Sequence, residues 1–363
     1  MDIPMLDLNR QMKLIRSEII QAIEAVVDSS KFIMGPEVMD LESEIAAYCS
    51  VQHGIGCASG SDAITIALRA VGVQPGDEVI TTAYSFYSTA GSIWHIGAKP
   101  VFADIDPTTF NIDVNQISDL ISPRTKAILP VHLFGQMADM DSIRKFAGSI
   151  PIVEDAAQAL GAKWDNVPIG CKSHAACLSF YPSKNLGGLG DGGMIVTDDP
   201  DVALKSRELR AHGALKTYEH RIVGYNSRLD TIQAAALQVK FRYLNQWTQK
   251  RRENAAYYTE AFENSKLGIQ KICPQAFSVF NQFVIVVDNR DELQDWLKKN
   301  HIGSMIYYPI PLPYQPCFKS LEYKKGDFPH AEYLAAHSLA IPIFPELTRV
   351  ELDRVISVIL DFI

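Results

Sequence analysis

Between Val51 and Asp198, short runs of strand-forming apolar residues alternate with helical stretches. The strand candidates are Val79–Thr82, Val101–Asp104, Ala127–His132, Ile152–Asp155, Ala175–Phe180 and Met194–Thr197. Helical patterns lie between several of them, over Asp62–Val71, Tyr87–Ile96, Val114–Ile121 and Met140–Ala147. This alternation predicts an α/β layer fold with a largely parallel sheet. Such sheets bind ligands beyond the carboxyl ends of their strands. His132 and Asp155 close two of the predicted strands, and Lys184 lies just past a third.

After this region the texture changes. Leu229 to about Ser265 reads as helix, Phe277–Val287 and Met305–Ile310 as strands, and Glu292–Asn300 and Arg349–Ile363 as helices. A length of 363 residues favours two domains, or one large domain with an appendage. The expected division is a large domain over 1–245 and a smaller C-terminal α/β domain over 246–363. Neither an internal repeat nor a low-complexity segment is evident.

The composition, 47% hydrophobic and 21% charged, is that of a soluble globular chain. A formal net charge of −8 with no basic run argues against a nucleic-acid or polybasic membrane surface. The first ten residues hold no signal-peptide core, and apolar runs such as Phe283–Val287 are too short to span a bilayer. The six cysteines form no CxxC pair, so buried free thiols in a reducing cytosol are expected, with no metal site.

Five elements carry candidate chemistry. In Ala58-Ser59-Gly60-Ser61-Asp62, small residues precede a helix, which is how backbone N–H groups and the helix dipole cradle a phosphate. In Glu154-Asp155-Ala156-Ala157-Gln158, a carboxylate ends a strand, with an amide three residues on. Lys184 sits before the glycine-rich Gly187-Gly188-Leu189-Gly190-Asp191-Gly192-Gly193, and Ser179 precedes it by five residues. Phe86 lies just beyond a strand end, where a ring can stack on another. Asn226 and Arg228 bring polar donors ahead of a helix. Lysine and carboxylate together suit pyridoxal phosphate: the amine bonds the cofactor, and Asp155 keeps the pyridine nitrogen protonated. Taken singly, each element has an ordinary alternative as an N-cap, a helix-start acid, a surface lysine, a packing aromatic or a loop. One cofactor accounts for all five in one chain order.

That order closely resembles the DegT-type family of pyridoxal-phosphate-dependent nucleotide-sugar aminotransferases. The resemblance runs from Phe32-Ile33-Met34-Gly35-Pro36-Glu37-Val38 through the five elements to Tyr308-Pro309-Ile310-Pro311. It implies a fold-type I aminotransferase acting as a homodimer with shared active sites. By this resemblance Lys184 bonds the cofactor and serves as general base, Asp155 pairs with the pyridine nitrogen, and Gln158 contacts the phenolic oxygen. Phe86 is the stacking ring; Gly60, Ser61 and Ser179 hold the phosphate; Asn226 reaches the phosphate of the neighbouring subunit. Arg228 and Tyr308 fall on the substrate side. The implied reaction moves an amino group from L-glutamate to a keto-sugar nucleotide, UDP- or dTDP-linked. Its texture is nearer to members that aminate C3 than C4. The implied setting is surface polysaccharide, O-antigen or antibiotic-sugar synthesis in the cytoplasm.

Family members with histidine at the lysine position act as dehydratases; Lys184 disfavours that branch. Many relatives carry histidines where this chain has Tyr307 and Pro313, so the substrate does not transfer by resemblance. The competing classes are a non-catalytic regulator that kept the cofactor site and another pyridoxal-phosphate enzyme, such as a desulfurase or an aldolase. The intact Lys184, Asp155 and Gln158 set argues against the first. The absence of a cysteine in an exposed loop motif argues against a desulfurase.

Overall fold

The computed structural model describes residues 2–216 and 218–363. Seven strands build the main sheet: β1 (His53–Cys57), β2 (Glu78–Thr82), β3 (Lys99–Ala103), β4 (Thr125–Leu129), β5 (Val153–Asp155), β6 (Ala175–Ser179) and β7 (Gly193–Thr197). They form two ladders, β3-β2-β4 and β5-β6-β7-β1. Parallel bridges Ile128–Ile152 and Val131–Asp155 join the ladders into one order. Only β7 runs against its neighbours. All six predicted strands of this region are present.

Neighbouring residues along these strands enter opposite apolar layers, as the two-residue period requires. Ile80, Ile128, Leu178 and Val196 pack with Leu41 and Ile143. Val79, Leu129, Cys177 and Ile195 pack with Ile64 and Val202. A sheet covered on both faces needs continuous apolar runs, which explains why its strands were legible without alternation.

The helices are α1 (Leu8–Ser29), α2 (Pro36–Tyr48), α3 (Gly60–Ala70), α4 (Tyr87–His95), α5 (Met140–Ala147), α6 (Pro200–Arg210), α7 (Thr231–Phe241), α8 (Leu244–Phe262), α9 (Arg290–Lys299), α10 (Pro329–His337) and α11 (Arg349–Leu360). The long helical pattern after Leu229 is thus two helices. The Val114–Ile121 pattern forms a 3-10 turn followed by one α turn over Ile117–Leu120.

A second sheet contains β8 (Gly268–Ile269), β9 (Phe283–Val286) and β10 (Ser338–Ile341), all antiparallel. Two strand expectations are corrected here. Phe277–Val287 divides into Ala276–Phe277, which pairs with Lys163–Trp164, and β9. Among the described residues, Met305–Ile310 makes only one bridge, Met305 to Ala340. Pro309 and Pro311 lack the N–H a ladder needs. Behind this sheet a separate core gathers Tyr258, Leu293 and Val355, and Ile3 joins it from the N-terminus.

The cysteines make no disulfide among the described residues. Cys49, Cys57 and Cys177 are buried as expected, but Cys171 and Cys273 are half-buried and Cys317 is exposed. No described helix is long and apolar enough to cross a membrane.

Helix α11 opens with a capping box, Thr348 and Glu351, and Glu351 also receives both ends of the Arg10 guanidinium at 2.6 and 2.8 Å. The Arg10 hydrogen bond holds the Glu351 carboxyl down to about 2, against desolvation. Its stabilisation is complete above the unfolded carboxylate range near pH 4.3 and is lost as pH falls towards 2. Glu351→Gln should therefore cost about 2 kcal/mol at pH 7, allowing for the partial exposure of Arg10. Denaturant titrations should show that gap shrinking at pH 3.

Candidate active site

The carboxyl ends of β1, β2, β5 and β6 and the start of antiparallel β7 lie along one edge of the sheet. Gly193 pairs with both Cys57 and Ser179, so three strands meet there. Helix α3 starts at that edge. Ser59 caps it, its hydroxyl accepting from the Asp62 N–H at 3.1 Å. The Gly60 and Ser61 N–H groups, at the first helical positions, find no acceptor among the described residues.

The backbone here is packed too closely for side chains. A Cβ on Gly60 would lie 2.7 Å from the Ser179 Cβ, and one on Gly193 would lie 2.4 Å from the Ser59 carbonyl. Around this small hollow stand three hydroxyls. Ser61 Oγ is 2.7 Å from Ser88 Oγ. Ser179 Oγ accepts from the Tyr181 N–H at 3.3 Å and keeps its proton for another acceptor. Unpaired helix-terminal N–H groups, a positive dipole end and three hydroxyls form a donor set for a phosphate. Ser88 was not anticipated; in sequence it reads as one more residue of a helix.

Asp155 ends β5 beside β6. Its carboxylate is buried and accepts from Thr89 Oγ1 at 2.7 Å and from the Ala157 N–H at 3.2 Å. Thr89 gives its proton to Asp155, so the 2.9 Å contact from Ser85 Oγ is a donation to Thr89. Burial pushes the Asp155 carboxyl above its ordinary value, opposed by Thr89, the Ala157 N–H and the charges of Lys184 and His132. Burial likewise pushes the half-buried Lys184 amine down, with Asp155 opposing. In both groups burial penalises the charged form, and each lies close enough to offset part of the other's penalty. A neutral amine is a nucleophile, and a buried carboxylate invites a cationic ring nitrogen.

Gln158 is fixed at both ends. Its Oε1 accepts from the Phe134 N–H at 2.7 Å, and its Nε2 donates to the Tyr308 hydroxyl at 3.2 Å. Tyr308 arrives from the C-terminal part of the chain on a segment held by Tyr84. The fully buried Tyr84 hydroxyl donates to the Tyr307 carbonyl and accepts from the Tyr308 N–H at 2.6 Å. Phe86 is 56% exposed, with its ring centroid 6.0 Å from that of Tyr308. In sequence, Tyr84, Ser85 and Thr89 read only as polar and aromatic residues around a helix start.

Asn226 and Arg228 stand apart. Arg228 Nη2 donates to Asn226 Oδ1 at 2.6 Å on an exposed face, and no hydrogen bond ties either to Lys184, Asp155 or Gln158. Between them, buried Ser227 donates to Asp62 at 2.8 Å and accepts from the Ala58 N–H, fixing this loop to the start of α3.

The family model for DegT/DnrJ/EryC1/StrS aminotransferases matches residues 13–360. The chain belongs to that family. This aminotransferase is 50% identical to the pleiotropic regulatory protein of Geobacillus stearothermophilus, over 100% of this chain and 99% of the relative. It is 42% identical to the UDP-N-acetyl-3-dehydro-α-D-glucosamine 3-aminotransferase of Acidithiobacillus ferrooxidans, over 98% and 97%. Its fold matches the crystal structure of S. venezuelae DesV with a TM-score of 0.98 at 38% identity, covering 99% of this chain and 98% of that one. The enzyme uses pyridoxal phosphate, and the phosphate cradle, buried carboxylate and amine described above fit it.

The cradle makes a direct prediction. Gly60→Ala should weaken pyridoxal phosphate binding by about 1–3 kcal/mol, because the new methyl must displace Ser179. Cofactor titration of the apo variant measures it.

Proposed function

We propose that this aminotransferase moves an amino group from L-glutamate to C3 of a UDP- or dTDP-linked 3-keto sugar. It does so in the cytoplasm, as a homodimer with shared active sites. The observation that carries the reading is the meeting of Lys184, Asp155 and the Gly60–Ser179 cradle at one sheet edge. The names of the Acidithiobacillus relative and its 3-keto substrate support the sugar class and position. Exposed Phe32, Ile33, Met34 and Met39, clustered in sequence, support association through that face. The exposed Asn226–Arg228 pair is then available to the neighbouring subunit, Asn226 for its phosphate and Arg228 for the nucleotide diphosphate. A surface polysaccharide or O-antigen sugar is the product class we favour. We place the boundary of the smaller domain near residue 245, where α8 begins.

Bound pyridoxal phosphate supplies an electron sink for the carbon that loses or gains its proton. Gly60, Ser61 and Ser179 would hold the phosphate. Asp155, oriented by Thr89, holds a proton on the ring nitrogen. Gln158 donates to the phenolic oxygen, and Phe86 covers one ring face. Lys184 Nζ would bond the cofactor and would serve as the base that takes and returns the substrate proton. Tyr308, braced by Gln158 and Tyr84, faces the sugar.

A visible spectrum tests the reading. Loss of the lysine-bound cofactor band on adding L-glutamate, and its return with a 3-keto sugar nucleotide, is the expected result. Return only with a 4-keto sugar would move the reaction to C4. The regulatory name of the Geobacillus relative favours a second reading, a cofactor-binding regulator without turnover. A band that stays unchanged with every amino donor and keto sugar would select it.

A further inference from the structure

Helix α7 carries Gln233 and Lys240 about two turns apart on one face. Both grip the loop that follows Lys184. Lys240 is only 2% exposed, and its Nζ donates to the Gly187 carbonyl at 2.6 Å. Gln233 Oε1 accepts from the Leu189 N–H at 2.8 Å. Lys240 pairs with no carboxylate among the described residues, and burial pushes its amine down to about 8. A buried amine without a counter-charge is costly, and an apolar side chain would fill the space without that cost. A lysine at this position calls for a reason beyond packing.

The loop geometry supplies one. A Cβ on Gly187 would lie 2.2 Å from the Pro182 carbonyl oxygen, so the turn folds tightly on itself. A Cβ on Gly188 would lie 2.9 Å from Gln233 Oε1, so the loop lies flat on α7. From the other side, Asn185 donates to the Val279 carbonyl at 3.1 Å and accepts from Asn281 at 2.6 Å. The backbone on the carboxyl side of Lys184 is therefore held from two directions, and Lys240 is a buried cation that bonds the loop backbone directly.

We propose that Lys240, assisted by Gln233, is a positioning residue that holds the Lys184 loop at the depth where its amine meets the cofactor. The inference rests on Lys184 being the cofactor-bonding lysine. A charge-assisted bond to a backbone carbonyl resists displacement better than a neutral one. Misplacement of a reacting group by about an ångström costs up to roughly 100-fold in rate.

The experiment adds pyridoxal phosphate to apo enzyme and follows growth of the lysine-bound absorption band, with steady-state kcat and sugar KM measured in parallel. Lys240→Met keeps the volume and removes the donor. It should slow band growth and lower kcat by roughly 10- to 100-fold with KM unchanged. Half-buried Gln233→Ala probes the same grip without disturbing the core and should shift both rates in the same direction by a smaller factor. If both variants form the band and turn over at wild-type rates, with melting temperature alone lowered, Lys240 is a packing residue and the proposal fails. Lys184→Ala is the control: a band persisting there would remove the underlying reading, and the inference with it, whereas its loss alongside normal band growth in both α7 variants would sink the inference alone.

Discussion

Lys184→Ala is expected to lower amine transfer by about 10⁴-fold or more, since in the proposed mechanism Lys184 is both the cofactor-bonding amine and the base that moves the proton. The protein itself should remain folded. Lys184 is half-buried in a loop, and burial already disfavours its charged form. Deleting the amine relieves that desolvation, so the apo variant should melt no lower than the wild type. Cofactor should still bind through the phosphate cradle, without the lysine-bound absorption band. Stopped-flow half-reactions with L-glutamate measure the rate, and thermal melts of the apo forms measure the stability. Transfer at wild-type rate in this variant would mean that another amine carries the chemistry.

Asp155→Asn carries the second largest effect. The substitution keeps the shape and one acceptor for Thr89 or the Ala157 N–H, but removes the negative charge. Leaving a cationic ring nitrogen buried without its partner costs about 3–5 kcal/mol, or roughly 10²–10⁴-fold in rate. The loss should fall on the proton-transfer step and leave phosphate anchoring largely intact. Because burial raises the Asp155 carboxyl in the free protein, the apo variant should lose no stability at neutral pH. Half-reaction rates and cofactor titration separate the two terms. A weaker cofactor constant with an unchanged half-reaction rate would reduce Asp155 to a binding residue.

Both residues were legible because strand ends in parallel sheets announce themselves. Ile152-Val153 and Ala175–Leu178 are apolar runs buried on two faces, and the polar residue that stops each run marks the sheet edge. Strand β1 escaped notice because His53-Gly54-Ile55-Gly56-Cys57 has two glycines and no β-branched run. The Gly54 Cβ position lies 2.3 Å from the Glu42 carbonyl, so close approach of α2, not strand propensity, selects glycine there. Helix α1 is legible in the sequence: Ile15, Ile19 and Val26 recur at helical spacing and are its buried positions. Thr89 and Ser85 were not readable. Their value lies in facing Asp155 across a distance that only the assembled sheet creates. The same holds for Tyr84, whose hydroxyl meets the backbone of Tyr307 and Tyr308 far along the chain.

The contact of Gly60 with Ser179, closed behind by Gly193, has a temporal consequence. Its parts come from distant stretches of sequence, so no nascent fragment holds the anion-binding hollow, and the cofactor can recognise only a chain whose central sheet has already zipped. A ligand that binds the finished fold and ignores the unfolded chain stabilises it by mass action, by about 2.7 kcal/mol at a hundredfold excess over its dissociation constant. Vitamin supply would then govern how long the protein persists in a cell as well as how fast it works.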